Sequence, residues 1–165
     1  MPNWCENDLT VFGPDPEMPL LHMQSENCHF DFNRVIPYPK KYQDLDDAAQ
    51  KWEEETKGQP WEERPKDGYN QGGYDWCIEN WGTKWNALPM EPYMTFPDGA
   101  AIISFSTAWS PPIPVIRALS EKFPLNTFAL EYFEAGMGFC GEVVVQDGVV
   151  LSDHYSDDYD GGRGG

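Results

Sequence analysis

Basic residues are scarce in this chain: 165 residues hold 11 Lys and Arg against 28 Asp and Glu, a formal net charge of −17 at neutral pH. That imbalance removes the sequence-independent attraction on which phosphate-backbone binding rests, so direct nucleic-acid binding is not expected. An anionic membrane surface is disfavoured for the same reason. Long apolar runs are missing too. Nothing approaches the roughly twenty residues of a bilayer-spanning helix, and Met1 to Glu6 lacks the basic-then-apolar order of a secretory leader. A cytoplasmic protein is expected. Cysteine is sparse: Cys5, Cys28, Cys77 and Cys140 lie far apart with no C-x-x-C pair. Such spacing offers no grouped thiolates for zinc or an iron–sulfur centre, so no metal or cofactor is expected and the thiols read as small buried hydrophobes. Cys28-His29 is an unsuitable ligand pair because adjacent side chains diverge. No block of like charge stands apart as an acidic arm; the negative charge is spread along the whole chain.

What the chain does have is aromatic content: seven Trp, eight Tyr and nine Phe within a 40% apolar composition. That is enough to build one core, and the length suits one domain. Cys5 to Phe12 reads as a strand closed by Gly13-Pro14, and Glu17 to Gln24 as a short helix with Pro19 in its first turn. Phe30, Phe32, Val35 and Ile36 lead into an extended Pro37-Tyr38-Pro39. Residues 40–73, rich in Glu, Lys, Gln, Gly and Pro, read as an insertion: a helix over Asp44 to Lys57 with Leu45, Ala48, Ala49 and Trp52 in register, then a mobile loop from Gly58 to Gly73. Tyr74, Cys77, Ile78 and Trp81 mark one face of a further helix that Gly82 ends. Alternation over Thr83, Trp85 and Ala87 predicts a strand.

Pro97-Asp98-Gly99 is a turn before a strand over Ala100 to Trp109, with Ile103, Phe105 and Trp109 on one face and Ser104 and Ser106 on the other. Ser110 is placed to cap a helix whose buried stripe is Val115, Ile116, Leu119 and Phe123, with Arg117 and Glu121 paired outside. Pro124 stops it. Thr127 to Phe133 is a strand, and Phe139 to Gln146 with Val149 to Tyr155 is a hairpin turned by Asp147-Gly148. The order predicts an α+β fold: a split βαβ antiparallel sheet with helices on one face, a helical and loop insertion, and an extra C-terminal hairpin. The domain is expected over residues 1–155, with a flexible acidic, Gly-rich tail at 156–165. Its terminal Gly164-Gly165 has the shape of a conjugated tail, although glycine is ordinary tail composition.

Four segments carry a resemblance: Pro2-Asn3-Trp4-Cys5 with Asn7 and Leu9-Thr10-Val11, Asn80-Trp81-Gly82-Thr83-Lys84-Trp85-Asn86, Thr107-Ala108-Trp109-Ser110-Pro111-Pro112, and Gly138-Phe139-Cys140-Gly141. Together they resemble the YubB-type ferredoxin-like domain family of phages, prophages and conjugative plasmids. The resemblance implies a ferredoxin-like fold and a mobile-element origin. It implies no iron–sulfur cluster and supplies no catalytic residues.

Candidate binding residues follow from side-chain chemistry. Trp81, Lys84 and Trp85, flanked by Asn80 and Asn86, combine two indoles, an ammonium and amides, which suits an amphipathic recognition surface. The competing reading has Trp81 and Trp85 plugging the core while Lys84 snorkels. Asn3 and Trp4 pose the same choice. Glu131, Glu134 and Glu142 surround Gly136, Gly138 and Gly141 and offer carboxylates for acid–base or metal work, yet such company is common in a chain this acidic. Ser152-Asp153-His154 holds the elements of a triad, but strand neighbours alternate and do not form one. No catalytic residue is assigned. The expected role is a non-catalytic binding module whose partner is a basic or nucleic-acid-processing host protein, in counter-defence or nucleic-acid mimicry. The alternatives are a small-molecule, nucleotide or metal-dependent enzyme using region 131–142, and a structural or accessory phage component.

Overall fold

Strict alternation along the first strand, β1 (Trp4–Phe12), decides the architecture. Cys5, Asn7, Leu9 and Val11 are buried, whereas Glu6 and Phe12 are exposed and Asp8 and Thr10 half-buried. The computed structural model describes residues 3–26, 28–56, 64–88 and 93–157. After β1 come α1 (Glu17–His22), α2 (Lys40–Glu55), α3 (Gly73–Trp81), β2 (Tyr93–Thr95), β3 (Ala100–Ala108), α4 (Ile113–Lys122), β4 (Thr127–Glu134), β5 (Phe139–Gln146) and β6 (Val149–Ser156). They form one six-stranded antiparallel sheet in the order β2-β3-β1-β4-β5-β6.

Because β1 is antiparallel to both β3 and β4, those two strands run parallel to each other, joined by α4 and separated by β1. This is the expected split βαβ unit. Leu9 sits opposite Ile103 on one side and Leu130 on the other, and this register places every buried β1 residue over one face. Leu20 of α1, Cys77 and Trp81 of α3, and Val115, Ile116 and Leu119 of α4 pack on that face against Phe105, Phe128, Leu130, Val143 and Val145. Each Val, Leu, Ile or Phe among them contributes about 1.5–3 kcal/mol when fully buried. Glu6, Asp8, Thr10, Ile102, Ser104, Glu131, Glu142 and Val144 take no part in this core, because they lie on the other face, which no described helix covers.

The differences from the sequence reading have local causes. α2 begins at Lys40, four residues earlier than expected, and its buried side carries Ala49 while Leu45 and Ala48 are exposed. Residues 64–72 are ordered, with Tyr69–Gln71 a single 3₁₀ turn. Asp46 accepts from the Tyr69 amide at 2.9 Å, and Arg64 holds the Asp67 carboxyl down to about 2. The mobile loop expected there is thus corrected over 64–73; residues 57–63 lie outside the described part. In α3 the buried residues are Gly73, Cys77 and Trp81, and Ile78 is exposed. Gly82 ends that helix at φ +77° as expected. Thr83 to Ala87 is not a strand: Thr83 Oγ1 donates to the Ala108 carbonyl and Ser110 Oγ to the Gly82 carbonyl, which fold the segment into bends. The short edge strand lies later, at β2. Ser110, engaged with Gly82, does not cap α4; Pro112 is the capping residue. Arg117 Nε donates to the Gly148 carbonyl at 3.2 Å where a pair with Glu121 was expected. Asp147 and Gly148, at φ 48° and 72°, make the predicted hairpin turn. Ser156 completes β6, while 158–165, with the Gly-Gly end, lie outside the described residues.

Two consequences are measurable. At Gly82 a Cβ would meet Pro114 Cδ at 2.8 Å with the backbone already left-handed, so Gly82→Ala should destabilise the fold by about 2 kcal/mol in urea unfolding. Burial also pushes the thiols of Cys5 and Cys77 and the phenol of Tyr132 up to about 12. These groups ionise more readily in the unfolded chain, so their contribution is complete below the ordinary thiol pKa of about 8.5 and is lost as pH rises toward 12. Urea midpoints should therefore fall between about pH 8.5 and 11, less steeply in Cys5→Ala; a profile flat to that limit would contradict the assignment.

Candidate functional site

The register that builds the core also gathers side chains at one end of the sheet. Trp4 lies opposite Ala108, and Cys5 lies opposite both Thr107 and Glu134, so the start of β1 meets the ends of β3 and β4. Asn3 continues this contact, its carbonyl accepting from the Trp109 amide at 3.0 Å. The bends after Gly82 bring Lys84 and Trp85 to the same end. There the Trp85 ring lies 6.4 Å from that of Trp4, and Lys84 Nζ rests 4.6 Å from the ring centres of both Trp85 and Trp109. Five expected binding residues, Asn3, Trp4, Lys84, Trp85 and Glu134, are thereby brought to one region.

Trp109 joins them although it was expected to end the strand on the same face as Ile103 and Phe105. It is 45% exposed, outside β3, at φ +73°. A bulky residue rarely takes this left-handed conformation, which costs about 1–3 kcal/mol and tends to occur at ligand clamps and active sites. The sequence signal that could have found it is Ser110-Pro111-Pro112: three residues unsuited to a central strand follow immediately, so the strand has to end at or before Trp109.

Glu134 is 1% exposed, and its carboxylate accepts from the Gly136 amide at 2.8 Å and the Met137 amide at 2.6 Å. Among the described residues it has no cationic partner. Asn3, Trp109, Glu134 and Met137 line a cavity of about 270 Å³. The remaining expected residues lie elsewhere. Trp81 is buried with Nε1 donating to the Ile36 carbonyl at 2.9 Å, which is the packing reading of that indole. Asn80 spends its amide on the Trp76 carbonyl of its own helix.

Glu142 faces the opposite side of the sheet. There the pairing registers place Ser104, Asp8, Glu131, Glu142 and His154 in one transverse row across β3, β1, β4, β5 and β6. In the next row Glu6 accepts from Ser106 Oγ at 2.9 Å. Glu131 and Glu142 thus meet as expected, whereas Glu134 lies on the other face, three residues from Glu131 along a strand of period two. The three carboxylates do not form one group, and among the described residues no trio of His, Cys, Asp or Glu is placed to hold a metal ion. Ser152, Asp153 and His154 alternate along β6 as expected, so they form no triad. No helix of the described residues is long and apolar enough to cross a membrane. Like charges directly opposite one another repel, so Glu142→Gln should raise stability by about 0.2–1 kcal/mol at low salt, and added salt should erase the gain.

Comparison with known proteins agrees with this architecture. The crystal structure of a protein api92 from Yersinia pseudotuberculosis matches with a TM-score of 0.59 over 94% of this chain and 98% of that one; at 11% identity the likeness concerns the fold. No protein of curated function matches. The family model described as the ferredoxin-like domain in Api92-like protein matches residues 80–162, just over half of the chain, from the end of α3 through the hairpin. The expected ferredoxin-like α+β fold is therefore present, and the chain belongs to the family of ferredoxin-like domains in Api92-like proteins.

Proposed function

We propose that this chain is a non-catalytic binding module that docks a basic protein partner on the sheet face that no described helix covers. The observation that carries the reading is the acidic row: Asp8, Glu131 and Glu142 lie side by side across three adjacent strands, with Glu6 in the row beside them. Backbone pairing holds these carboxylates at fixed spacing, so a partner meets an ordered charge pattern rather than mobile side chains on a helix. Ser104 and Ser106 donate to Asp8 and Glu6 and so fix two of the four. Complementary charge of this kind speeds association and selects partners, and it weakens with salt. The mobile-element origin implied by the motif resemblance supports a host protein as partner, such as a nucleic-acid-processing enzyme whose basic cleft fits an acidic sheet. The net charge of −17 supports the same reading.

A decalysine peptide serves as probe, because it lets local pattern be separated from total charge. The triple variant Glu6→Gln, Glu131→Gln, Glu142→Gln and a control triple on α2, Asp47→Asn, Glu54→Gln, Glu55→Gln, remove the same charge. The sheet-face variant should bind at least about tenfold more weakly than wild type and the control less than about threefold, with the difference lost at about 0.5 M salt. Equal weakening by the two triples would assign the binding to bulk charge and overturn the proposal.

A further inference from the structure

The cavity at the sheet end has a chemistry the acidic row lacks. Its volume, about 270 Å³, falls below the roughly 300–1,000 Å³ of small-molecule sites, which suits one side chain rather than a nucleotide. One of its described lining residues, Glu134, is a carboxylate almost wholly removed from water. Two backbone amides satisfy part of its hydrogen-bonding capacity, but no described cation neutralises it. A buried anion in that state attracts a positive charge more strongly than any exposed carboxylate of the sheet face, since screening by water is least there. A second lining residue, Trp109, already engages a cation, holding the Lys84 ammonium 4.6 Å from its ring centre. It does so from a backbone conformation, φ +73°, that a tryptophan adopts only when its surroundings impose it. Asn3 adds an amide to the lining, and Met137 a flexible thioether.

Carboxylate, indole and amide around a space of this size match a planar cation that stacks and donates several hydrogen bonds at once. We infer that the cavity is a subsite for one arginine side chain of the partner, its guanidinium against Trp109 and its charge answered by Glu134. Arginine is favoured over lysine because a guanidinium is weakly hydrated, stacks on aromatic faces and pairs with a carboxylate through two donors. The inference rests on the basic partner proposed above but uses a different set of residues.

N-acetyl-arginine methylamide tests it, with the neutral isostere N-acetyl-citrulline methylamide as control. Both are titrated into the full chain while the indole and backbone amide resonances are followed, Trp109 being assigned from a Trp109→Phe variant. The arginine probe should shift the Trp109 indole and the Met137 amide saturably, with citrulline binding at least about tenfold more weakly, the weight of one charge-assisted contact. Glu134→Gln should weaken the arginine response by about the same factor. Should that variant not fold, Trp109→Leu and Asn3→Ala, both at exposed positions, should each reduce the response while leaving the remaining amide spectrum in place. An equal response to citrulline would overturn the subsite, and so would an arginine response unchanged by these substitutions. Decalysine binding that depends on the acidic row without any arginine response at Trp109 would remove the subsite and leave the docking face standing. The reverse pattern would remove the docking face and keep the subsite.

Discussion

The double pairing of β1 is the constraint on which the rest depends. A strand bonded on both sides has no edge to absorb a slip, so its register simultaneously sets those of β3 and β4, and a shift of one residue would exchange its two faces. Asn7 reinforces that register from within. Buried at the centre of β1, its amide donates to the Cys5 and Phe105 carbonyls and to Thr107 Oγ1, at 2.8, 3.3 and 2.9 Å. A side chain bound to its own strand and to the neighbouring strand cannot keep those bonds in another alignment. Apolar helices then cover the side where Leu9 and Val11 point, and Glu6 and Asp8 are left on the side where water solvates them.

The features on which the proposed docking face and subsite rest are by-products of that registration. Antiparallel pairing makes the beginning of one strand the neighbour of the ends of two others, which is why Asn3, Trp109 and Glu134, more than a hundred residues apart in part, share one cavity. The same pairing turns isolated carboxylates on separate strands into a row. One face therefore carries an ordered, water-exposed negative charge, and the sheet end carries a single dry one beside aromatic rings. These differ physically: screening governs the first, desolvation the second.

The residues between α1 and β2 add a second layer of aromatic packing. Tyr38 contacts Tyr42, Trp76 and Trp81 with ring centres 5.5–5.8 Å apart, tying the extended Pro37–Pro39 segment to α2 and α3. Gly68 and Gly73 allow the chain to pass this close: a Cβ would meet the Tyr42 backbone at 2.1 Å in the first and the Tyr38 hydroxyl at 2.0 Å in the second. Composition suggested a loop because Gly, Pro and charged residues dominate there, yet the glycines serve close approach, and Asp46 and Arg64 supply bonds that no hydropathy pattern reveals.

Local regularities were legible in the sequence itself. Two-faced patterning and turn residues located β1, β3, β4 and the hairpin, although alternation over Thr83, Trp85 and Ala87 did not make a strand; the spacing of Cys77 and Trp81 located α3, and Gly82 and Asp147-Gly148 marked conformations that few residues tolerate. The tryptophan-rich motifs also drew notice to Asn3, Trp4, Lys84 and Trp85, and the glycine-flanked carboxylates to Glu134, all of which the fold brings to one end of the sheet. Their arrangement was another matter. That Trp81 belongs to the core while Lys84 and Trp85 reach the sheet end depends on the Thr83 and Ser110 bonds to distant carbonyls. That Glu131 and Glu142 adjoin while Glu134 is buried behind them depends on strand register. Periodicity along one chain determines which side of its own element a residue occupies; only pairing and packing between elements decide which residues it meets, because those partners are set by contacts far away in sequence.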